Sequence, residues 1–148
     1  MMSETTPLDF VERVQASFAR QNAMQLIQAT LPVVEQGLTE IHLPHWSGVE
    51  QQHGFIHGGV VGMIADSAAG YAAMTMVAAT ASVLTVEFKM NLVAPADGEK
   101  LIARGQVVRS GRTLIVTKAE VFAVKAGKES LCALMQQTIM VMQGKAEK

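Results

Sequence analysis

One cysteine, Cys132, stands among 148 residues, so the chain forms no internal disulfide. With ten methionines beside that lone thiol, a reducing cytoplasm is the expected setting. Basic runs are missing and the formal net charge is −1; the electrostatic footprint of a nucleic-acid binder is therefore absent. The start, Met1-Met2-Ser3-Glu4-Thr5, has neither a cationic head nor an apolar core, so no signal peptide is expected. No repeat, linker or low-complexity stretch interrupts the chain. Aromatic residues amount to 5%, yet 49% of residues are hydrophobic and only 17% charged, which excludes a disordered chain. That length and composition fit one domain, residues 1–148, with residues 1–30 as an N-terminal helical extension.

Charge is scarcest in the middle. Between Glu50 and Glu87 the only aspartate, glutamate, lysine or arginine is Asp66. A buried carboxylate is costly unless something pairs with it or uses it. The stretch from Val60 to Val86 is long and apolar enough to raise a membrane span. Yet it consists largely of Ala, Gly, Ser and Thr, and an Asp near a bilayer centre costs about 3 kcal/mol. A helix buried by its own protein is the expected alternative, with no membrane partner.

Hydrophobic periodicity supplies the elements. Phe10, Val11, Val14 and Phe18 recur at helical spacing within residues 7–20. Residues 31–44, entered at Pro32 and closed at Pro44, read as one extended segment. A Gly- and His-rich loop, Trp46 to Gly59, leads into a long helix from about Val60 to Ala79. Along it Gly62, Ala65, Ala69 and Ala73 form a nearly flat stripe that lets a sheet or ligand approach. The period then changes to two: Leu84, Val86, Phe88, Met90 and Leu92 alternate with polar neighbours, as in a strand with one buried face. Turns at Pro95–Gly98, Ser110-Gly111 and Ala126-Gly127 separate strands at Leu101–Arg109, Thr113–Val124 and Ser130–Met142. Three tight connections predict antiparallel neighbours, hence an α+β fold with the helix on one face of the sheet.

Gly58-Gly59 lies where loop becomes helix. The first amides of a helix lack intrahelical acceptors, and can bind an anion or a developing oxyanion; such glycines also simply permit a tight turn. Eight residues on, Asp66 lies about 12 Å along the helix axis. The two cannot act on one atom within one subunit, but two helices running antiparallel across a two-fold axis would bring Asp66 of one to Gly58 of the other. An Asp in apolar surroundings can have its pKa raised toward that of a useful base, or can simply be a buried acid satisfied by hydrogen bonds, for example with Ser67 or Gln51.

His57-Gly58-Gly59, followed by Asp66 on a long Ala/Gly-rich helix and four strands, resembles the hotdog-fold acyl-CoA thioesterases, and within them the PaaI-like subgroup of phenylacetate degradation. The likeness covers roughly residues 38–143. It implies an antiparallel sheet wrapped around the central helix, and hydrolysis of an acyl-CoA to acid and coenzyme A. It places Asp66 as nucleophile or general base, Gly58 as the amide that polarises the carbonyl, Gln51 as an orienting amide, and His57 as support of the loop close to the thioester. Counting back from Pro95 puts Thr85 at a water-positioning hydroxyl, whereas counting forward from Asp66 reaches Leu84. Gly70 stands where some relatives carry a further hydroxyl. Arg109 and Arg112 fall on a hairpin near the nucleotide end of coenzyme A, where arginine suits phosphate. The resemblance further implies a homodimer, commonly paired into a homotetramer, and no metal or redox cofactor. A non-catalytic acyl-CoA-binding or sensor domain, and a hotdog dehydratase or hydratase, are the alternatives. The first would lose the acid, and the second uses differently spaced motifs.

His53 is expected to be a loop residue, and His42 and His45 to face solvent. The four histidines lack a metal-binding spacing, and Ser67 is not in a Gly-x-Ser-x-Gly elbow. Cys132 is expected to pack as a small apolar side chain. Phe55, Tyr71, Phe88 and Phe122 are candidates for lining an acyl pocket.

Overall fold

A computed structural model describes residues 9–147. Two helices, α1 (Asp9–Arg20) and α2 (Asn22–Leu26), precede strands β1 (Thr30–Glu35) and β2 (Leu38–Pro44). The long helix α3 (Gly58–Met74) follows, then β3 (Ser82–Leu92), β4 (Lys100–Ser110), β5 (Leu114–Lys125) and β6 (Lys128–Met142). Pro7 and Leu8, where the first helix was expected to start, lie outside the described residues, as does the N-terminal segment read for a signal peptide. The six strands form one sheet in the order β1-β2-β4-β5-β6-β3, with every neighbouring pair antiparallel. α3 packs against all of these strands except β1, and the sheet curves around it, which is the hotdog arrangement.

The closeness of that packing comes from small residues. Ala65, Ala68 and Ala69 are fully buried in one cluster with Ile41, Leu101, Ala103 and Val121. Directly beneath Ala68 lies Gly105 of β4, where an added Cβ would stand 2.3 Å from the Ala68 carbonyl carbon. Thr39 Oγ1 donates to the Ala68 carbonyl at 2.6 Å, a side-chain bond from the sheet to the helix backbone. The C-terminal end of α3 is held by a cation: Arg13 Nη2 donates to the carbonyls of Met74 (3.2 Å) and Val77 (2.8 Å). A guanidinium there satisfies free carbonyls and complements the helix dipole. Thr75 closes the last turn by donating its hydroxyl to the Ala72 carbonyl at 2.6 Å. The helix therefore stops at Met74 rather than at the expected Ala79.

Three other expectations need correction. Residues 31–44 are a hairpin, not one extended segment, because Gln36-Gly37 turns the chain with Gly37 at φ +77°. The Pro95–Gly98 turn does not pair its flanking strands: β3 lies against β6, at the sheet edge. The connection instead spends its hydrogen bonds elsewhere. The amides of Val93 and Ala94 donate to the Cys132 carbonyl, and that of Ile56 donates to the Ala96 carbonyl.

Finally, β3 does not bury its apolar set. Leu84, Val86 and Phe88 are 60%, 59% and 46% exposed, since an edge strand has a partner on one side only. Its simple alternation also fails. The register shifts between Thr85 and Glu87, leaving Val86 as an extra residue, and such a bulge exchanges the faces that follow it. Val83 and Thr85 point to the helix before the bulge, and Met90 and Leu92 after it. Among the described residues no helix is long and apolar enough to cross a membrane.

Because Gly105 meets helix backbone rather than a movable side chain, Gly105→Ala is expected to destabilise the fold by about 1–3 kcal/mol. A lower urea midpoint at unchanged slope would show it; an unchanged midpoint would contradict the close packing.

Candidate active site

Asp66 lies midway along α3, where it is half-buried and faces β3 and β6. Thr85 Oγ1 donates to Asp66 Oδ1 at 2.7 Å. The count back from Pro95 is thus the one that finds the hydroxyl, and Leu84 is exposed beside it. The bulge at Val86 matters here, because it places Thr85 on the helix side although its alternation with Leu84 and Phe88 had put it opposite them.

A second donor reaches the same oxygen. Gln137 Nε2 hydrogen-bonds Asp66 Oδ1, and it lies 3.1 Å from Thr85 Oγ1. Gln137 is 1% exposed and Thr117, its register partner on β5, is wholly buried. Thr117 Oγ1 donates to Gln137 Oε1 at 2.9 Å. The chain of contacts runs Thr117, Gln137, Asp66, Thr85, and leaves no polar end of the glutamine unpaired. Neither Gln137 nor Thr117 was anticipated as a site residue. A signal was present: Ala133, Met135, Gln137, Ile139 and Val141 share one phase of β6, and an amide on that apolar face requires partners.

The carboxylate borders a cavity of about 160 Å³ lined also by Gln21, Tyr71, Met74, Val83 and Glu147. α1 and the C-terminal tail close in on one side, where Arg20 pairs with Glu147 at 3.0 Å. Tyr71 is fixed by a 3.2 Å hydrogen bond with Ser17 and an edge contact with Phe18. Burial raises its phenol above the usual range. Of the aromatics proposed for an acyl pocket, only Tyr71 borders this cavity. Phe88 lines a separate groove with Val108 and Leu134, and Phe122 lies under the Arg104 guanidinium at 5.0 Å.

The other expected residues lie about the N-terminal end of α3. His57 is its N-cap, and His57 Nδ1 accepts from the Gly59 amide at 2.8 Å. A neutral imidazole so engaged carries its proton on Nε2. Among the described residues no group accepts the Gly58 N–H. Gln51 turns its side chain onto its own loop, where Oε1 accepts from the His53 amide, and its backbone amide donates to the Phe55 carbonyl at 2.8 Å. His57 and Gly58 thus stand together at the start of α3, with the Gln51 side chain turned onto its own loop, and Asp66, Thr85 and Gln137 form a second group.

Arg109 and Arg112 stand exposed on the β4–β5 hairpin and make no side-chain contact with either group. His42 and His45 do not simply face solvent. His42 Nε2 lies 3.1 Å from Glu40, and His45 is held between the Gly98 carbonyl (2.8 Å) and Glu50 (3.2 Å). Arg104 completes the first cluster at 2.7 Å from Glu40, whose carboxyl sits below its usual range because these hydrogen bonds and charges outweigh the opposing effect of burial. Among the described residues no three His, Cys, Asp or Glu converge as a metal site.

Comparison with known proteins adds four findings. Residues 53–130 match the family model described as the thioesterase superfamily. A thioesterase family protein from Silicibacter pomeroyi is 41% identical, with a TM-score of 0.89 over 91% of this chain and 99% of that one. A protein of Saccharolobus solfataricus carrying an esterase name, SSO2140, is 31% identical over 87 residues, or 59% of this chain; the match spans only 61% of that relative. The fold also coincides with that of the E. coli PaaI protein, at TM-score 0.84 and 16% identity over 95% of this chain and 99% of that one.

Cys132 is buried, and desolvation pushes its thiol up to about 11. At pH 8 the folded protein therefore holds a protonated, inaccessible thiol. A colorimetric disulfide reagent should label it only after denaturation, and rapid labelling of the native protein would contradict that environment.

Proposed function

The chain belongs to the thioesterase superfamily, and from that premise we propose that it hydrolyses an acyl-CoA thioester to a carboxylic acid and coenzyme A. The observation that carries this reading is the state of Asp66. Oδ1 is held by two donors, whereas Oδ2 accepts from no described residue and the carboxylate borders a cavity. A carboxylate locked by one oxygen and open at the other is prepared to react.

In the proposed reaction Oδ2 either takes a proton from an attacking water or itself attacks the thioester carbon, expelling the coenzyme A thiolate to leave a mixed anhydride that water then cleaves to the carboxylic acid and free Asp66. In the first case the water oxygen bonds to that carbon and the carbonyl electrons move onto oxygen, where an amide stabilises them. The C–S bond then breaks, and the thiolate leaves and takes up a proton as coenzyme A. The amide is that of Gly58, whose N–H is open and lies at the positive end of α3. No metal or redox cofactor is required, and a cytoplasmic enzyme would meet its coenzyme A substrate there.

The two groups on α3 need a second chain. Within β3, Thr85 marks the height of Asp66, and Leu92 marks that of Gly58, where an added Cβ would stand 2.9 Å from Leu92 Cδ1. Antiparallel pairing of two β3 edges, with a two-fold axis near Phe88 and Lys89, sets Thr85 of one protomer opposite Leu92 of its partner. The same pairing covers the exposed Leu84, Val86 and Phe88 and supplies the hydrogen-bond partners that a bare edge lacks. Asp66 of one subunit would then face the Gly58 amide, His57 and Gln51 of the other. The exposed Val108 and Leu134 on the outer face of the sheet offer a second surface for pairing dimers into a tetramer. Arg109 and Arg112, on the hairpin nearest the Asp66 end of β3, are assigned to the phosphates of coenzyme A.

Asp66→Asn keeps an acceptor for Thr85 and Gln137 but removes the base. Thiol release from acyl-CoAs of varied chain length should fall roughly 10²- to 10⁴-fold with little change in melting temperature. Near-normal turnover by the folded variant would refute the assignment.

A further inference from the structure

We propose that Gln137, anchored by Thr117, is a positioning residue that determines which oxygen of Asp66 reacts. This inference rests on the reading of Asp66 as the reacting group. It assigns Thr85 a different part from the water-positioning one that the family resemblance implies.

An ionised carboxylate is acceptor-only, so the glutamine must present its NH₂ to Asp66. Its Oε1 is then left pointing into the sheet and needs a donor. Thr117, wholly buried on the neighbouring strand, supplies one at 2.9 Å. The amide therefore has one orientation in which every group is satisfied. The Gln137 NH₂ reaches three acceptors on the helix side: Asp66 Oδ1, the Asp66 carbonyl at 3.4 Å and Thr85 Oγ1 at 3.1 Å.

Thr85 is consequently committed on both counts. Its hydroxyl proton goes to Asp66 Oδ1 at 2.7 Å, and its oxygen faces the Gln137 amide. It has no proton left for a water. Thr85 and Gln137 together saturate Oδ1, and the rotation of the carboxylate is fixed with Oδ2 outward.

Packing alone does not account for this pair. Two polar side chains at 0% and 1% exposure occupy positions where β5 and β6 otherwise place Ile115, Ala119, Met135 and Ile139. Burying an amide and a hydroxyl there gives no advantage over apolar side chains unless the polar ends do something.

The test separates a structural from a positioning role by measuring kcat, KM and melting temperature together. Gln137→Leu removes the glutamine donor from Asp66 and leaves only the Thr85 hydroxyl, of the two described donors, on Oδ1. The double variant Thr117→Val/Gln137→Leu removes both members of the buried pair, so that no polar group between the strands is left without its partner. Both are expected to lower kcat by up to about 100-fold with KM changed less than about twofold. The double variant should melt above the single one and yet show the same kcat loss. Thr117→Val alone, with Gln137 still in place, should give a smaller loss of the same kind. A folded double variant with wild-type kcat would overturn the proposal, as would a loss confined to KM or to stability. Asp66→Asn runs alongside: if it remains active, the reading of Asp66 has failed, whereas an inactive Asp66→Asn beside a fully active double variant means that only the role of Gln137 has failed.

Discussion

An α-helix is a stiff ruler. At about 1.5 Å of rise per residue it holds the Gly58 amide and the Asp66 carboxylate roughly 12 Å apart, and no side-chain rotation closes that distance. Each end of the ruler is equipped for half a reaction. One end has an N-cap histidine and an amide without an acceptor; the other has a carboxylate held by two donors. In the proposed reaction the requirement for a second chain follows from this separation, and the bare edge at β3 is where that chain would pair. A strand that leaves its outer hydrogen-bonding groups and four large apolar side chains uncovered invites pairing. The heights of Thr85 and Leu92 along it suit a partner running in the opposite direction.

The ruler works only because it lies flush on the sheet. Gly105 and the alanine stripe bring the α3 backbone close to β4, and Thr39 ties it there. Arg13 and Thr75 fix the far end, and His57 fixes the near one. With the helix seated this way, Asp66 falls within reach of strands β3 and β6, and a buried amide from β6 can decide how its carboxylate is turned. Packing and chemistry are thus linked through a few small residues: a Cβ beneath Ala68 would lift the helix and with it the carboxylate.

Much of this was legible in the chain. Asp66 stood out because every other charge was absent for many residues on either side, and Gly58-Gly59 because glycine pairs mark close backbone approach. The long helix and the final hairpins followed from period and turn chemistry. What escaped has common physical causes. A bulge at Val86 reversed the faces of β3, so alternation assigned Thr85 to the wrong side. The turn at Pro95–Gly98 looked like a hairpin, but the amides just before it donate to Cys132 of β6 and its Ala96 carbonyl accepts from Ile56. Gln36-Gly37 was passed over as a turn inside an apparently continuous strand. Gln137 and Thr117 are neutral, so no charge count finds them, and only their phase within apolar strands betrays that they are buried.

The divided site is the central claim, and one experiment addresses it directly. Gly58 is the first residue of α3 and His57 before it is extended (φ −57°, ψ 134°), so proline is acceptable to the backbone at position 58 and removes the N–H, while its Cβ, 2.9 Å from Leu92 Cδ1, requires only the flexible end of that side chain to shift. Gly58→Pro and Asp66→Asn should each be folded and inactive. When the two are unfolded together and refolded in equal amounts, half of the dimers pair unlike chains, and each such dimer carries one site with both an intact amide and an intact carboxylate. The account predicts recovery of about a quarter of wild-type thiol release. Confirmed mixed dimers that recover none would contradict a site built from two chains.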